Sequence, residues 1–105
     1  MILTTCEQIP ERSVKETCGL VRGSTIRARH LGQDLMAVLR NVVGGEVREY
    51  TKMIGEAREQ ALDRMIGEAA ALGADAVLGI RFGTSMVMSG AAEILAYGTA
   101  VKLAV

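Results

Sequence analysis

The sequence predicts an α+β domain in which two helices pack on an antiparallel sheet, in the order β-β-α-α-β-β. Three observations carry this. From Tyr50 to Phe82 a one-sided helical pattern runs to Gly73, and a strand follows at once. Leu31, Leu35, Val38, Leu39 and Val42 repeat at helical spacing and stop at Gly44-Gly45, which gives a shorter, earlier helix. Two stretches of strand character precede the helices and two follow them.

Met1 to Thr5 reads as a short strand, and Gln8 to Ser13, holding the only proline, as a connecting loop. Val14 to Ala28 is rich in β-branched and small residues and reads as one long bent strand. Gly19 and Gly23 interrupt its alternation. Glycines inside a strand mark a bulge or the close approach of another backbone. In the long helix, Met53, Ile54, Ala57, Ala61, Leu62, Met65, Ile66, Ala69 and Leu72 form an apolar stripe. Lys52, Glu56, Arg58, Glu59, Asp63, Arg64 and Glu68 fill the remaining arc. Gly73 stands where a helix ends at positive φ, a conformation glycine adopts without steric cost. Beyond it, Ala76, Leu78, Ile80 and Phe82 make the inner face of one strand, and Leu95, Tyr97, Val101 and Leu103 that of the next. Gly83 to Ala91 joins them as a loose or bulged hairpin loop.

Length bounds the chain to a single domain over residues 1–105. Half its residues are hydrophobic, yet Tyr50, Phe82 and Tyr97 are the only aromatics, so the core is aliphatic and stacking surfaces for bases or sugars are scarce. Net charge is zero, with seven basic and six acidic residues in 1–50 and five and six in 51–105. No basic stripe emerges that could neutralise a run of phosphates, which argues against nucleic acid as a partner. Arg22, Arg27, Arg29 and His30 cluster locally and read as arginines alternating on an exposed strand face. Met86 to Val105 is apolar, but Glu93, Lys102 and a period of two make it a strand and not a membrane span. Cys6 and Cys18 lack CxxC spacing, and the N-terminus lacks the charged and apolar regions of a signal peptide. Free thiols in the cytoplasm are the expectation.

Val77, Val87, Ile94, Ala96 and Ala100 fall on the strand faces opposite the expected inner ones, and Met36 and Val43 lie beside the stripe of the first helix. That is more apolar surface than one small sheet and two helices hide, and it predicts a homo-oligomer.

Several segments, in order, resemble the YbjQ family: Glu16 to Gly23, Asp34 with Arg40 to Gly45, Tyr50, Ala57-Arg58, Ala69, Leu72 to Val77 with Gly79, and Gly98 to Val101. The likeness spans nearly the whole chain. It implies a dodecin-like α+β subunit assembled into a ring of five, and a heavy-metal-binding label with no known reaction. Cys18 stands where many members have cysteine. Arg81 and Phe82 stand where many have acidic or polar residues, which weakens any oxygen-rich cation site there.

The soft donors are Cys6, Cys18, His30 and the Met86/Met88 pair, none with metal-motif spacing. Met86 and Met88 at i and i+2 would share a strand face and suit Cu(I), or pack as ordinary apolar side chains. Cys18 reads as a small buried residue or as a ligand, and His30 as a surface or capping residue or a ligand. Symmetry in a ring could multiply Cys18 into a site for Zn or Cu. Asp34 complements a helix start and Asp75 satisfies turn amides. No phosphate-binding or dinucleotide fingerprint occurs. The expected protein is a cytoplasmic homo-oligomeric binding or scaffold protein, not an enzyme. A small-molecule binder at subunit interfaces and a Cys18-dependent enzyme are the alternatives.

Overall fold

The structure, a computed structural model, describes the backbone of residues 1–28, 48–88 and 91–105, and the side chains of residues 1–26, 54–86 and 92–105. Strand β1 is Ile2–Leu3, β2 is Val14–Ala28, helix α1 is Arg48–Ala71, β3 is Ala76–Met88 and β4 is Ala91–Leu103. The strands lie in the order β1-β3-β4-β2. β4 is central and antiparallel to both β2 and β3, whereas β1 runs parallel to β3 through Ile2↔Ala76 and Leu3↔Val77.

The expectation of two helices on an antiparallel sheet is therefore corrected. The described residues hold one helix on a mixed sheet, in the order β-β-α-β-β. β1 is parallel because β2 and α1 intervene as a crossover before the chain returns beside it, and only a crossover allows parallel neighbours. The first expected helix, Leu31 to Val42, lies outside the described residues. Strand character also continues through most of the expected 83–91 connector, with Met88 already paired to Ala91.

α1 ends as its glycine predicts. Gly73 has φ +73°, its N–H donates to Ala70 O at 3.0 Å, and Ala74 N–H donates to Ala69 O at 3.1 Å. These are the two reverse bonds of a Schellman cap. The last turn of α1 carries no basic residue. A side chain from the sheet supplies the charge instead: Lys102 Nζ lies 3.7 Å from where a Cβ on Gly73 would sit, against the negative end of the helix dipole. Lys102 also pairs with Glu16 at 3.7 Å, in an exposed bridge of little energetic weight.

The helix covers the sheet face opposite to the one expected. Ala57, Ala61, Met65 and Ala69, one residue per turn, are buried against Val21, Val77, Ile94, Ala96 and Ala100. Leu78, Val101 and Leu103 pack on the other face with Ala76 and Ile9. Backbone proximity decides this. A Cβ on Gly23 would lie 2.3 Å from Ala61 O and 2.4 Å from Met65 N, so α1 rests directly on the β2 main chain. Gly23, Ala96 and Ala100 permit that approach, whereas Leu95 and Tyr97 on the other face would hold the helix away. Thr25 adds a buried hydrogen bond from its Oγ1 to Ala57 O at 3.0 Å.

Four register shifts interrupt the pairing, and two of them decide which face a side chain takes. Thr17 pairs with Val101 and Gly19 with Ala100, leaving Cys18 as the extra residue, with Gly19 at φ +122°. Leu78 pairs with Thr99 and Arg81 with Tyr97, so Gly79 and Ile80 together face Gly98. This second bulge turns Ile80 to the helix side, where it is buried, and leaves Leu78 on the other face.

Candidate functional site

Cys18 sits in the β2 bulge, half-buried, and packs against the core beneath α1. Cys6 is exposed in the segment after β1, and both thiols are free. Cys6 is held by its backbone: its N–H donates to Thr4 Oγ1 at 3.0 Å, and its carbonyl accepts from Gly79 N–H at 2.9 Å. Met86 is 78% exposed on β3, just before a register shift between Met86 and Met88, and the side chain of Met88 lies outside the described residues. His30, Asp34 and Arg29 lie outside the described residues. Among the described residues no three His, Cys, Asp or Glu side chains come together where they could hold a metal ion. The donors of one chain, as far as they are described, do not fit a heavy-metal centre.

Arg81 has a structural task. Its guanidinium donates to Thr5 O and Ile80 O, each at 2.9 Å, and so fastens the segment after β1 to the β3 bulge. Ile80 N–H donates to Thr4 O at 3.1 Å in the same latch. Asp75 is tied to the neighbouring strand and not to a turn: its Oδ2 accepts from Leu103 N–H at 2.9 Å.

The concave surfaces are open clefts. One of about 570 Å³ follows the free edge of β2 and is lined by Arg22, Gly23, Ser24, Arg64, Glu68, Glu93 and Leu95. Arg64 Nη1 donates to Ser24 O across it and covers part of that strand edge. The charges lining it are two arginines and two glutamates, which favour neither anions nor cations. A second cleft, about 450 Å³, holds Glu7, Thr17, Thr99 and Leu78 on the sheet face away from α1.

The more telling surface holds Phe82 and Tyr97, two residues expected on the inner strand faces. On the face away from α1, Leu20 is 62% exposed, Ile26 61% and Tyr97 37%. Arg22 and Arg81 flank Tyr97 in one cross-strand row. On the helix side, Phe82 is 46% exposed beside the strongly exposed Met86, because α1 lies chiefly over β2 and β4 and, among the described residues, leaves this end of β3 open. Alternation marks these residues as apolar positions in strands. It cannot say which face the helix takes.

Fold and surface thus define a small α+β protein whose sheet carries apolar side chains in the open on both faces. Residues 1–104 match the family model described as "Putative heavy-metal-binding", and the chain belongs to that family, the YbjQ family. It is 58% identical over 103 residues to a UPF0145 protein of Archaeoglobus fulgidus, a match covering 98% of this chain and 95% of the relative. A UPF0145 protein of Methanosarcina acetivorans is 59% identical over 103 residues, covering 98% and 97%. A crystal structure of a protein of unknown function from Pediococcus pentosaceus, of the DUF74 family, shares the fold at TM-score 0.66 and 16% identity, covering 99% of this chain and 98% of that one. Among the described residues no helix is long and apolar enough to cross a membrane.

Proposed function

We propose that the chain is a cytoplasmic, homo-oligomeric binding or scaffold protein, with five subunits preferred, and that any soft-metal site it forms is shared between chains through Cys18. One observation carries the reading. Among the described residues, Leu20, Ile26 and Tyr97 stand exposed on one face of the sheet, and Phe82 and Met86 on the other. A sheet that, among the described residues, carries one helix and exposes apolar side chains on both faces reaches ordinary burial by adding copies of itself. The two free thiols support a reducing compartment.

Cys18 enters because one chain offers no cluster of donors among its described residues, whereas a symmetric assembly repeats each thiol. Titration with buffered Zn(II) or Cu(I), beside a native mass spectrum, tests both parts. Stoichiometric metal lost in Cys18→Ser, with subunit count retained, is the expected result for a shared thiolate site. A parent that assembles but takes up no metal leaves Cys18 as a packing residue and removes the metal from the reading. A parent that stays monomeric at micromolar concentration removes the assembly.

A further inference from the structure

Residues 7–12 form a strap over the sheet face away from α1. Main-chain bonds pin it at both ends, from Gly79 N–H to Cys6 O and from Ala104 N–H to Ser13 O, each 2.9 Å. Within it, Arg12 N–H donates to Ile9 O at 3.2 Å and closes a turn with Pro10 and Glu11 at its centre. Glu11 has φ +65°, as the third residue of a type II turn does. Ile9 anchors the strap on Ala76, Leu78, Val101 and Leu103. Two clefts run along it. One, of about 450 Å³, reaches from Glu7 over Thr17, Thr99 and Val101, and the other, of about 310 Å³, from Arg12 past Ile9 to Leu103. Val14 and Leu78 line both, so the two meet there as one trench with an aliphatic floor. Among the described residues, Glu7 is the only charged group lining one arm and Arg12 the only one lining the other. Neither side chain makes a hydrogen bond or ion pair with a described residue.

We propose that this trench binds an aliphatic ω-amino acid, with its ammonium at Glu7, its carboxylate at Arg12 and its methylene chain on Val14 and Leu78. The reading goes beyond the assembly and metal proposal and does not rest on it. Each arm of the trench falls within the roughly 300–1,000 Å³ of small-molecule sites, which are mostly apolar with a few placed polar groups. Charge chooses the ligand class. The arginine fork matches a carboxylate, and the glutamate, at the other arm, matches a cation. A fatty acid would leave Glu7 without a counter-charge, and an alkylamine would leave Arg12 without one. A compact amino acid, with both charges on one carbon, cannot reach both arms. The strap's two anchors and its turn hold the charged residues in place before any ligand arrives, which lowers the ordering cost of binding.

The test titrates the full-length protein with ε-aminocaproate and its longer homologue ω-aminocaprylate, read by amide NMR shifts. Caproate and hexylamine, which keep the chain and one charge each, serve as comparisons. An ω-amino acid is expected to saturate at millimolar concentration and to move the amides of Arg12, Val14, Leu78 and Thr99. It should bind about fivefold more tightly than either one-charge analogue, the most an exposed ion pair is worth. Glu7→Gln is expected to bring it down to the affinity of caproate and to leave caproate unchanged. Arg12→Gln is expected to bring it down to that of hexylamine and to leave hexylamine unchanged. Both residues are exposed, and a thermal melt checks that each variant folds. Where one does not, the comparison of ligands on the parent decides alone. No saturable shift at these amides overturns the site. One-charge analogues that bind as tightly, or an affinity that neither variant lowers, overturn the ligand class and the proposal with it. Subunit count and metal uptake are read separately, so failure here leaves the reading of the previous section standing.

Discussion

Gly73 and Gly23 show two ways in which a single absent side chain sets the structure. At Gly73 the constraint is conformational: φ is +73°, and the Schellman bonds to Ala69 and Ala70 depend on it. Gly73→Val is expected to cost more than about 1 kcal/mol in a denaturant melt, since a β-branched residue is strained at positive φ. A melt like the parent's would mean the cap is dispensable. At Gly23 the constraint is steric, because an added Cβ meets the Ala61 carbonyl and the Met65 amide at 2.3 and 2.4 Å. Main-chain atoms of a helix cannot turn aside as a flexible side chain can. Gly23→Ala should therefore cost as much as severe overpacking does, about 3 kcal/mol or more. Cys18, half-buried in its bulge against the core, is less demanding, and Cys18→Ser should cost roughly 1–3 kcal/mol for a hydroxyl that needs a partner. An unchanged midpoint would show that the bulge is wetter than its packing suggests.

Between residues and the whole sheet, the segment after β1 is held by a latch and not by strand pairing. Arg81 bridges Thr5 O and Ile80 O, while the amides of Gly79 and Ile80 reach Cys6 O and Thr4 O. Arg81→Met is expected to speed hydrogen exchange at the Gly79 and Ile80 amides, with a global cost near 1 kcal/mol. Exchange unchanged at both amides would show that the backbone bonds hold without the guanidinium. Much at this scale is written in the sequence. The extent of β2, the glycine cap and the β3–β4 hairpin follow from punctuation and period. Gly19 and Gly23 realise the two alternatives open to a strand glycine, one as a bulge and one as a close approach. The choice of face is not written there. β4 is apolar on both sides, Ile94, Ala96 and Ala100 against Leu95, Tyr97 and Val101, and only the distance at which a helix can lie separates them. β1 is too short to show a period, and its partner Ala76 lies far along the chain. The place of Cys18 beneath the helix depends on a bulge that shifts the alternation by one. The YbjQ pattern of residues was legible across the chain; a single-chain metal centre was not there to be read among the described donors.

For the molecule as a whole, sedimentation at micromolar protein is expected to show one closed species, with five subunits preferred, and a stable monomer would contradict the case made from exposed apolar side chains. The parallel pairing of β1 with β3 bears on something else, the order in which the chain organises itself. The β3–β4 hairpin closes locally, from Met88↔Ala91 outward, whereas Ile2↔Ala76 closes only when nearly three-quarters of the chain has been brought together. Loop-closure entropy grows with the length enclosed, so the long-range contact gains least when made early. β1 and its latch should then be absent from the rate-limiting barrier. In a chevron, Ile2→Ala is expected to accelerate unfolding and leave refolding nearly unchanged, while Ile94→Val, in the hairpin core, slows refolding. The first residues of this protein, on that account, are the last to find their place and the first to leave it.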